Sequence, residues 1–465
     1  MTALHGSRGE TVRRGIYRLV LVSLLLFLTL GYTASAQAQG PDEKPNVVLI
    51  LTDDLDKRLL TSHLSDYPNI QSLADRGVTF SNAFVTNSLC CPSRSTILTG
   101  QYSHNHHVMD NTAPDGGATA FRPLESEALP VWLENAGYTT GYVGKYMNEY
   151  DDSHTPPGWD DWMGINTDEA GLEPGQRTDV FSEQAATFVK QRAGMKPFYL
   201  QISPAAPHEP ALPYPRHSKL FAGEKTPQPP SFNEKDVSDK PYYVSKLKPL
   251  TRDRIASFNE LYRNRLRSMM AVDEMVGRLV ATLQETGELS STYIVFTSDN
   301  GVHAGQHRLG EGKRLAYEED IRVPLIVRGP GIPANATRPQ MVLNNDFAPT
   351  FAGWTGATPL LTVDGRSLAP LLGSTPPARW RTAFLAEAAA QEQIGRPAYQ
   401  ALRTENYLYV DYTDGEKELY NLQRDPYELN SYYPKAGDAL KNRLQGRLSS
   451  LAGCVGAGCR SAEGP

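Results

Sequence analysis

The sequence is poor in cysteine, in long apolar runs and in net charge, and each scarcity excludes a class of protein. Four cysteines in 465 residues rule out a disulfide-built scaffold, because such chains are short and densely bridged. Cys454 and Cys459 flank a Gly-rich turn and suit a small disulfide in an exported chain. Cys90 and Cys91 are adjacent, a poor geometry for pairing with each other, and need another explanation. The apolar run Leu19 to Leu30 falls short of the roughly 20 residues that a comfortable membrane span requires, so no stable span is expected. A formal net charge of -6 offers no electrostatic case for nucleic acid or an anionic membrane. An anionic substrate would have to be drawn in by a local basic site.

What is present at the N-terminus is a targeting pattern. Arg8, Arg13, Arg14 and Arg18 precede the apolar run, and small residues follow it down to Ala36-Gln37-Ala38. A basic start, a short apolar core and an A-x-A site describe a secretory signal peptide, expected over residues 1–38, with the mature chain starting near Gln39. Arg13-Arg14 also fits a twin-arginine signal. The expected location is therefore outside the cytoplasm: periplasmic, cell-surface or secreted.

The remaining composition, 40% hydrophobic and 21% charged, is ordinary for a globular enzyme. Asn46 to Leu51 is a continuous apolar run, the mark of a strand buried on both faces. Tyr293 to Thr297, Phe198 to Ile202 and Pro324 to Val327 read the same way, and Thr139 to Val143 more weakly. Between them lie helical patterns. The clearest runs from about Ile255 to Glu285, with Met269, Val272, Val276, Leu279 and Leu283 on one face and Gly287 placed to stop it. Alternating strands and helices predict a mostly parallel sheet covered on both sides. The proline- and lysine-rich stretch from about Ala211 to Leu250 predicts a long surface excursion. After about Pro377 the texture changes. Tyr399 to Thr404, Tyr407 to Tyr412 and Lys417 to Tyr420 predict short antiparallel strands, with a turn at Thr413-Asp414-Gly415. The expected division is a catalytic domain over 45–376 and a small C-terminal subdomain over 377–465.

Ligands collect at the carboxyl ends of strands in open α/β sheets. One buried run ends in Asp53-Asp54 and another in Asp299-Asn300. Three carboxylates and an amide oxygen at one edge repel unless a cation neutralises them, and oxygen-only ligands select calcium or magnesium. Asp and Asn also simply make turns after strands. Beside these stands Ser88-Leu-Cys90-Cys-Pro-Ser-Arg94-Ser-Thr-Ile-Leu-Thr-Gly100. Pro92 suits the first turn of a helix, which puts Cys90 at the helix N-terminus, where partial positive charge and free N–H groups suit an anion. Arg94 adds a fork for oxyanions. Cys90 could be a thiolate nucleophile activated by the helix end or a buried structural residue. A soft thiolate, however, fits badly beside a hard, oxygen-ligated cation.

Cys90-Cys-Pro-Ser-Arg94 followed by Thr-Gly resembles the signature of the formylglycine-dependent sulfatases. The run through Gln-Tyr-Ser-His-Asn-His-His most resembles N-acetylglucosamine-6-sulfatases and the extracellular heparan endosulfatases. Gly144-Lys-Tyr-Met-Asn-Glu-Tyr150, Lys313 through Gly331 and Glu418 through Asn430 are similar to the same subgroup. The resemblance spans about Pro45 to Tyr433 and implies an alkaline-phosphatase-like α/β fold. It implies that Cys90 is oxidised to formylglycine by a formylglycine-generating enzyme and that its hydrate attacks a sulfate ester. It implies Ca2+, with Mg2+ as the alternative, held by Asp53, Asp54, Asp299, Asn300 and the modified Cys90. Arg94 would support the diol, Lys145 and Lys313 would hold sulfate, and His208 would stand on the substrate side. One position departs. Many sulfatases have a histidine where this chain has Met147, so the base that resets the nucleophile is open among His104, His106, His107 and His303, with Asn148 able to add a hydrogen bond. His303 and His307 directly follow the second acidic strand end, which favours them as lining residues. The expected partner is a sulfated small molecule or glycan. A phosphonate or phosphate-ester hydrolase of the same superfamily and a non-catalytic binder of sulfated glycans are the rival functions.

Overall fold

The computed structural model describes residues 44–151, 153–165 and 176–465; the expected signal peptide lies outside them. The strands in chain order are β1 (Asn46–Thr52), β2 (Val78–Phe84), β3 (Thr139–Lys145), β4 (Asp161–Ile165), β5 (Phe198–Ser203) and β6 (Thr292–Ser298). They continue with β7 (His303–Ala304), β8 (Glu311–Gly312), β9 (Arg322–Arg328), β10 (Ala336–Leu343), β11 (Ala383–Ala388), β12 (Tyr399–Thr404), β13 (Tyr407–Tyr412) and β14 (Lys417–Asn421).

Eight of them form one sheet in the order β10-β2-β9-β6-β1-β5-β3-β4. Every pairing is parallel except the two made by β9. The central strand shows why a continuous apolar run was the signal. Val47, Leu49 and Leu51 face one apolar cluster, while Val48 and Ile50 face the other. Each fully buried aliphatic side chain of this size contributes about 1.5–3 kcal/mol, so a polar substitution on either face would be costly. On one side Leu266, Met269, Val272 and Val276 of the long helix Arg252–Glu285 cover the sheet. On the other, Ile97 and Leu98 of helix Cys90–Thr99 and Phe351 of helix Phe347–Thr355 do so. The long helix stops where Gly287 takes a left-handed φ of 81°.

Pro324 lies inside β9, an interior strand, where a missing N–H is normally tolerated only at a bulge. The β2–β9 register duly shifts between Phe80 and Ala83, opposite Pro324. A second, antiparallel sheet has the order β11-β12-β13-β14 and packs under Leu444, Leu448 and Leu451 of helix Asp438–Ala452. Three of its strands follow the expected runs. The fourth, β11, and the strands β2, β4 and β10 were not anticipated. Cys454 and Cys459 form a disulfide, as their spacing suggested. The 211–250 stretch is largely irregular, with short helical turns at Pro215–His217 and Tyr242–Ser245. Phe232, Val237, Tyr243 and Val244 nevertheless bury themselves within it. No helix of the described residues is long and apolar enough to cross a membrane.

Candidate active site

β1 and β6 are adjacent, parallel and in register, with Thr52 opposite Ser298. The chain therefore leaves both strands at the same level, and Asp53-Asp54 meets Asp299-Asn300. The Asp299 N–H donates to Thr52 O at 3.0 Å, and the Asp54 N–H to Asp299 Oδ1 at 3.2 Å. Asp54 takes a left-handed φ of 63°, a local strain of the kind stored at functional sites. On the other side of β1, β5 leads into the loop bearing His208, and β3 ends at Lys145. Strand ends scattered along the sequence thus converge on one edge.

Cys90 is the first residue of its helix, and Leu89 at the cap position has no polar side chain to offer. Asn111 Oδ1 takes over part of that work, accepting the Cys91 N–H at 2.9 Å. Pro92 has no N–H, and Ser93 N donates to Leu89 O. The expectation of several free donors is corrected to one: among the described residues, the Cys90 N–H is the helix-end donor left without a partner.

The Cys90 sulfur sits in a cationic cradle, with Lys313 Nζ at 2.9 Å, Lys145 Nζ at 3.5 Å and Asp53 Oδ1 at 3.5 Å. Lys145 also pairs with Asp53, and Lys313 Nζ lies 2.5 Å from Asp54 Oδ1. Arg94 grips Asp299 Oδ2 through Nε at 2.9 Å and donates to Lys145 O at 2.6 Å. Its guanidinium is thus turned toward Asp299 and the Lys145 backbone. Burial alone would raise the Asp53 pKa, but Lys145, His208, Lys313 and Arg94 hold it well below the usual carboxylate range. Burial also works against charge on Lys145, yet Asp53 and Cys90 outweigh it and raise that pKa. The Cys90 thiol is pushed up to about 11, by burial first and by the Asp53 charge second. A thiolate nucleophile at neutral pH is therefore disfavoured, since reactive cysteines have depressed values.

The donor set fits a hard divalent cation. Asp53, Asp54, Cys90 and His208 place ligand atoms within 4.8 Å of one another. Asn300 Oδ1 is buried with no hydrogen-bond donor among the described residues, while its Nδ2 donates to Asp54 Oδ1 at 2.5 Å. A buried carbonyl oxygen without a donor is costly, and oxygens of this kind are what calcium and magnesium bind.

His208 Nε2 lies 3.6 Å from Asp54 Oδ2, and with 34% of its side chain exposed it is the most open of these groups. Its Nδ1 donates to Glu209 O at 2.6 Å, which leaves Nε2 facing the site. The other histidines are engaged elsewhere. His104 pairs with Glu387 and Cys454 O. His106 bonds Thr96 Oγ1, and burial, with His104 and His107 nearby, pushes it down to about 3. His107 is exposed. His307 is buried against Glu234, and His303 against Asp320. Asn148 faces Cys91 rather than Cys90, its N–H donating to Cys91 Sγ at 3.1 Å. Met147 is buried in the apolar core, so its position does not supply the absent histidine's function. Asn111 and Asp320, both holding the site together, carry no local sequence signal: each acts on a residue supplied by the fold.

Residues 45–357 match the family model described as Sulfatase. Residues 305–453 match one described as N-sulphoglucosamine sulphohydrolase, C-terminal. An arylsulfatase of Volvox carteri is 36% identical, covering 95% of this chain and 79% of its own length. The N-acetylglucosamine-6-sulfatase of Homo sapiens is 32% identical, covering 94% of this chain and 90% of its own. A solved structure in complex with its substrate D-glucosamine-2-N,6-O-disulfate superposes with a TM-score of 0.75 at 27% identity, covering 88% of this chain and 97% of that one.

Proposed function

The chain belongs to the sulfatase family and is a sulfuric ester hydrolase, and we propose that its ester is the 6-O-sulfate of a glucosamine unit. The nucleophile is a formylglycine hydrate at position 90. The substrate class is supported by the relatives active on N-acetylglucosamine-6-sulfate and by the neighbour holding a glucosamine disulfate. The observation that most supports position 90 as the reacting atom is the cradle around its sulfur, with Lys313 Nζ at 2.9 Å and Lys145 Nζ at 3.5 Å. As a thiol this group is buried and neutral. As a hydrated aldehyde it presents oxygen where the neighbouring chemistry is oxygen.

Asp53, Asp54, Asp299, Asn300 and position 90 would hold Ca2+, or Mg2+ in its place. When bound, that cation supplies positive charge against the oxygens of the sulfuryl group. Lys145 and Lys313 bind and orient the sulfate, and Arg94 fixes Asp299 and the end of β3. One hydroxyl at position 90 releases its proton to solvent water and its oxygen bonds to sulfur as the sulfur–oxygen bond to the sugar breaks, while His208 Nε2 gives its proton to the departing alcohol oxygen. His208, with a ring nitrogen within 4.8 Å of Cys90 Sγ, is then a free base beside position 90. It takes the proton of the remaining hydroxyl as the aldehyde re-forms and sulfate leaves. No histidine at position 147 is needed in this cycle.

Residues 45–376 act as the catalytic domain and 377–465 as its C-terminal subdomain, in a protein exported by its N-terminal signal. Relatives include extracellular sulfatases. Mass spectrometry of the Cys90 peptide from protein made with a formylglycine-generating enzyme should find the aldehyde or its hydrate. Cys90→Ala should abolish turnover, and an unmodified Cys90 in active protein would overturn the nucleophile. Matched aryl sulfate and aryl phosphonate esters should favour the sulfate. A panel of 2-, 3-, 4- and 6-sulfated sugars should show release from the 6-position of glucosamine.

A further inference from the structure

Lys313 reaches the sulfur of Cys90 from an irregular segment. Gly305, His307, Arg308 and Arg314 all have left-handed φ values, from 51° to 99°, and the regular pairing here is the two-residue ladder β7–β8. A lysine has four rotatable methylene bonds and a large rotamer entropy, so its ammonium stays in place only if its backbone does.

Asp320 supplies that anchorage. It is fully buried, and both its oxygens accept from His303 Nδ1, at 2.8 and 3.0 Å. Its Oδ2 also accepts the Leu315 N–H at 2.9 Å. One carboxylate thus ties the start of the segment to a point two residues beyond Lys313. His303 is opposite Gly312 in the ladder. Its Nε2 has no hydrogen-bond partner among the described residues and stands 3.1 Å from where a Cβ on Gly312 would lie. The ring is packed flush against the backbone that carries Lys313. On the far side, the Arg314 N–H donates to Ser88 O at 3.0 Å, and Ser88 Oγ to Leu315 O at 2.8 Å. Ser88 lies two residues before Cys90. The segment is therefore clamped between the Asp320–His303 pair and the loop leading into the Cys90 helix.

We propose that His303 and Asp320 are positioning residues that set the Lys313 ammonium against position 90, and that His303 exchanges no proton with substrate. This rests on Lys313 as a sulfate-binding group. It accounts for a buried histidine beside the site whose free nitrogen faces a glycine. It also gives a reason for glycine at 312: a methyl there meets a ring that Asp320 prevents from moving.

Two measurements on the full chain test it. The first is calorimetric binding of inorganic sulfate, which needs neither turnover nor conversion of Cys90. The second is aryl sulfate hydrolysis by the converted enzyme. His303→Asn, Asp320→Asn and Gly312→Ala should each weaken sulfate binding and lower kcat/KM by about 10- to 100-fold, the usual effect of misplacing a catalytic group by a fraction of an ångström to an ångström. Lys313→Ala sets the reference. In its background His303→Asn should change either quantity by no more than about 2-fold, because the two act through one group. The pH–rate profile of His303→Asn should keep both limbs of the wild type. Multiplying losses in the double variant, or a missing limb in the profile, would make His303 an independent acid or base and overturn the proposal. Unchanged sulfate binding in His303→Asn and Gly312→Ala would overturn it too. If Asp320→Asn does not fold, Gly312→Ala carries the test with the pair intact. A wild type that binds sulfate but does not hydrolyse the ester would count against the proposed nucleophile and leave this inference standing on the binding data.

Discussion

Removing the divalent cation should lower the melting temperature by a measurable amount, and one side chain should account for much of that response. Asp53, Asp54 and Cys90 converge at the ends of β1 and the Cys90 helix, and Asn300 Oδ1 is buried beside Asp54 with no donor among the described residues. A cation that binds the folded chain alone, present at about 100 times its Kd, stabilises it by about 2.7 kcal/mol. Unfolding entropy of roughly 2.1 cal/mol/K per residue gives about 1 kcal/mol per degree for a chain of this size, so the shift is about 3 °C. Asn300→Ala removes the unpaired oxygen. An affinity loss of about 30-fold, a modest figure for a direct ligand because groups that merely support ligands already cost about 10- to 100-fold, reduces the stabilisation to about 0.9 kcal/mol and the shift to about 1 °C. Thermal melts of chelator-treated protein, with and without added calcium or magnesium, read both numbers without any turnover. Identical melting temperatures for the wild type with either metal would refute a cation site at these residues. A full shift in Asn300→Ala would refute the role of that oxygen.

Three further outcomes follow from other parts of the fold. Arg381 is buried between Asp346, at 2.7 Å, and Glu463, at 2.8 Å; Arg381→Ala leaves the buried Asp346 without a charged partner, while Glu463 keeps Arg366 at 3.0 Å, and should cost about 3 kcal/mol in a urea melt. His106 is held neutral, with its pKa near 3 in the fold against about 6.5 unfolded. Its contribution is therefore present above about pH 6.5 and is lost as pH falls toward 3, by up to about 1.4 kcal/mol per pH unit. His106→Gln should flatten that part of the stability–pH curve, and an unchanged slope would contradict a buried neutral imidazole. Replacing Cys454 and Cys459 by serine opens a loop of sequence separation 5 and should cost about 2 kcal/mol. The loss should be no greater, because His104 and Asn105 also hold Cys454 O, at 3.0 and 2.9 Å.

Elements buried on both faces were the easiest to read. β1, β5 and β6 are continuous apolar runs, and the long helix repeats its apolar face far enough for the period to be unmistakable. β2 and β10 carry polar residues such as Ser81, Asn82 and Gln340 within the strand. Their places come from pairing with β9 and with each other, which no local pattern records. β11 reads Ala-Phe-Leu-Ala-Glu-Ala, as good a helix as a strand; its partner β12 decides the matter.

The sequence by itself determined the chemistry available. Two acidic strand ends, a cysteine opening a helix before Pro92 and Arg94, and lysines at 145 and 313 are legible because each is a local motif with a physical reason. Only the tertiary structure decided which of these groups touch. It brought Lys313 to Cys90, turned Arg94 toward Asp299, and sent His104, His106, His307 and Asn148 to other partners. It also placed His303 against Asp320 and beside Gly312. The physical reason is that a residue type records what a side chain can do, while its pKa and its partners depend on burial and on charges supplied by segments hundreds of residues away.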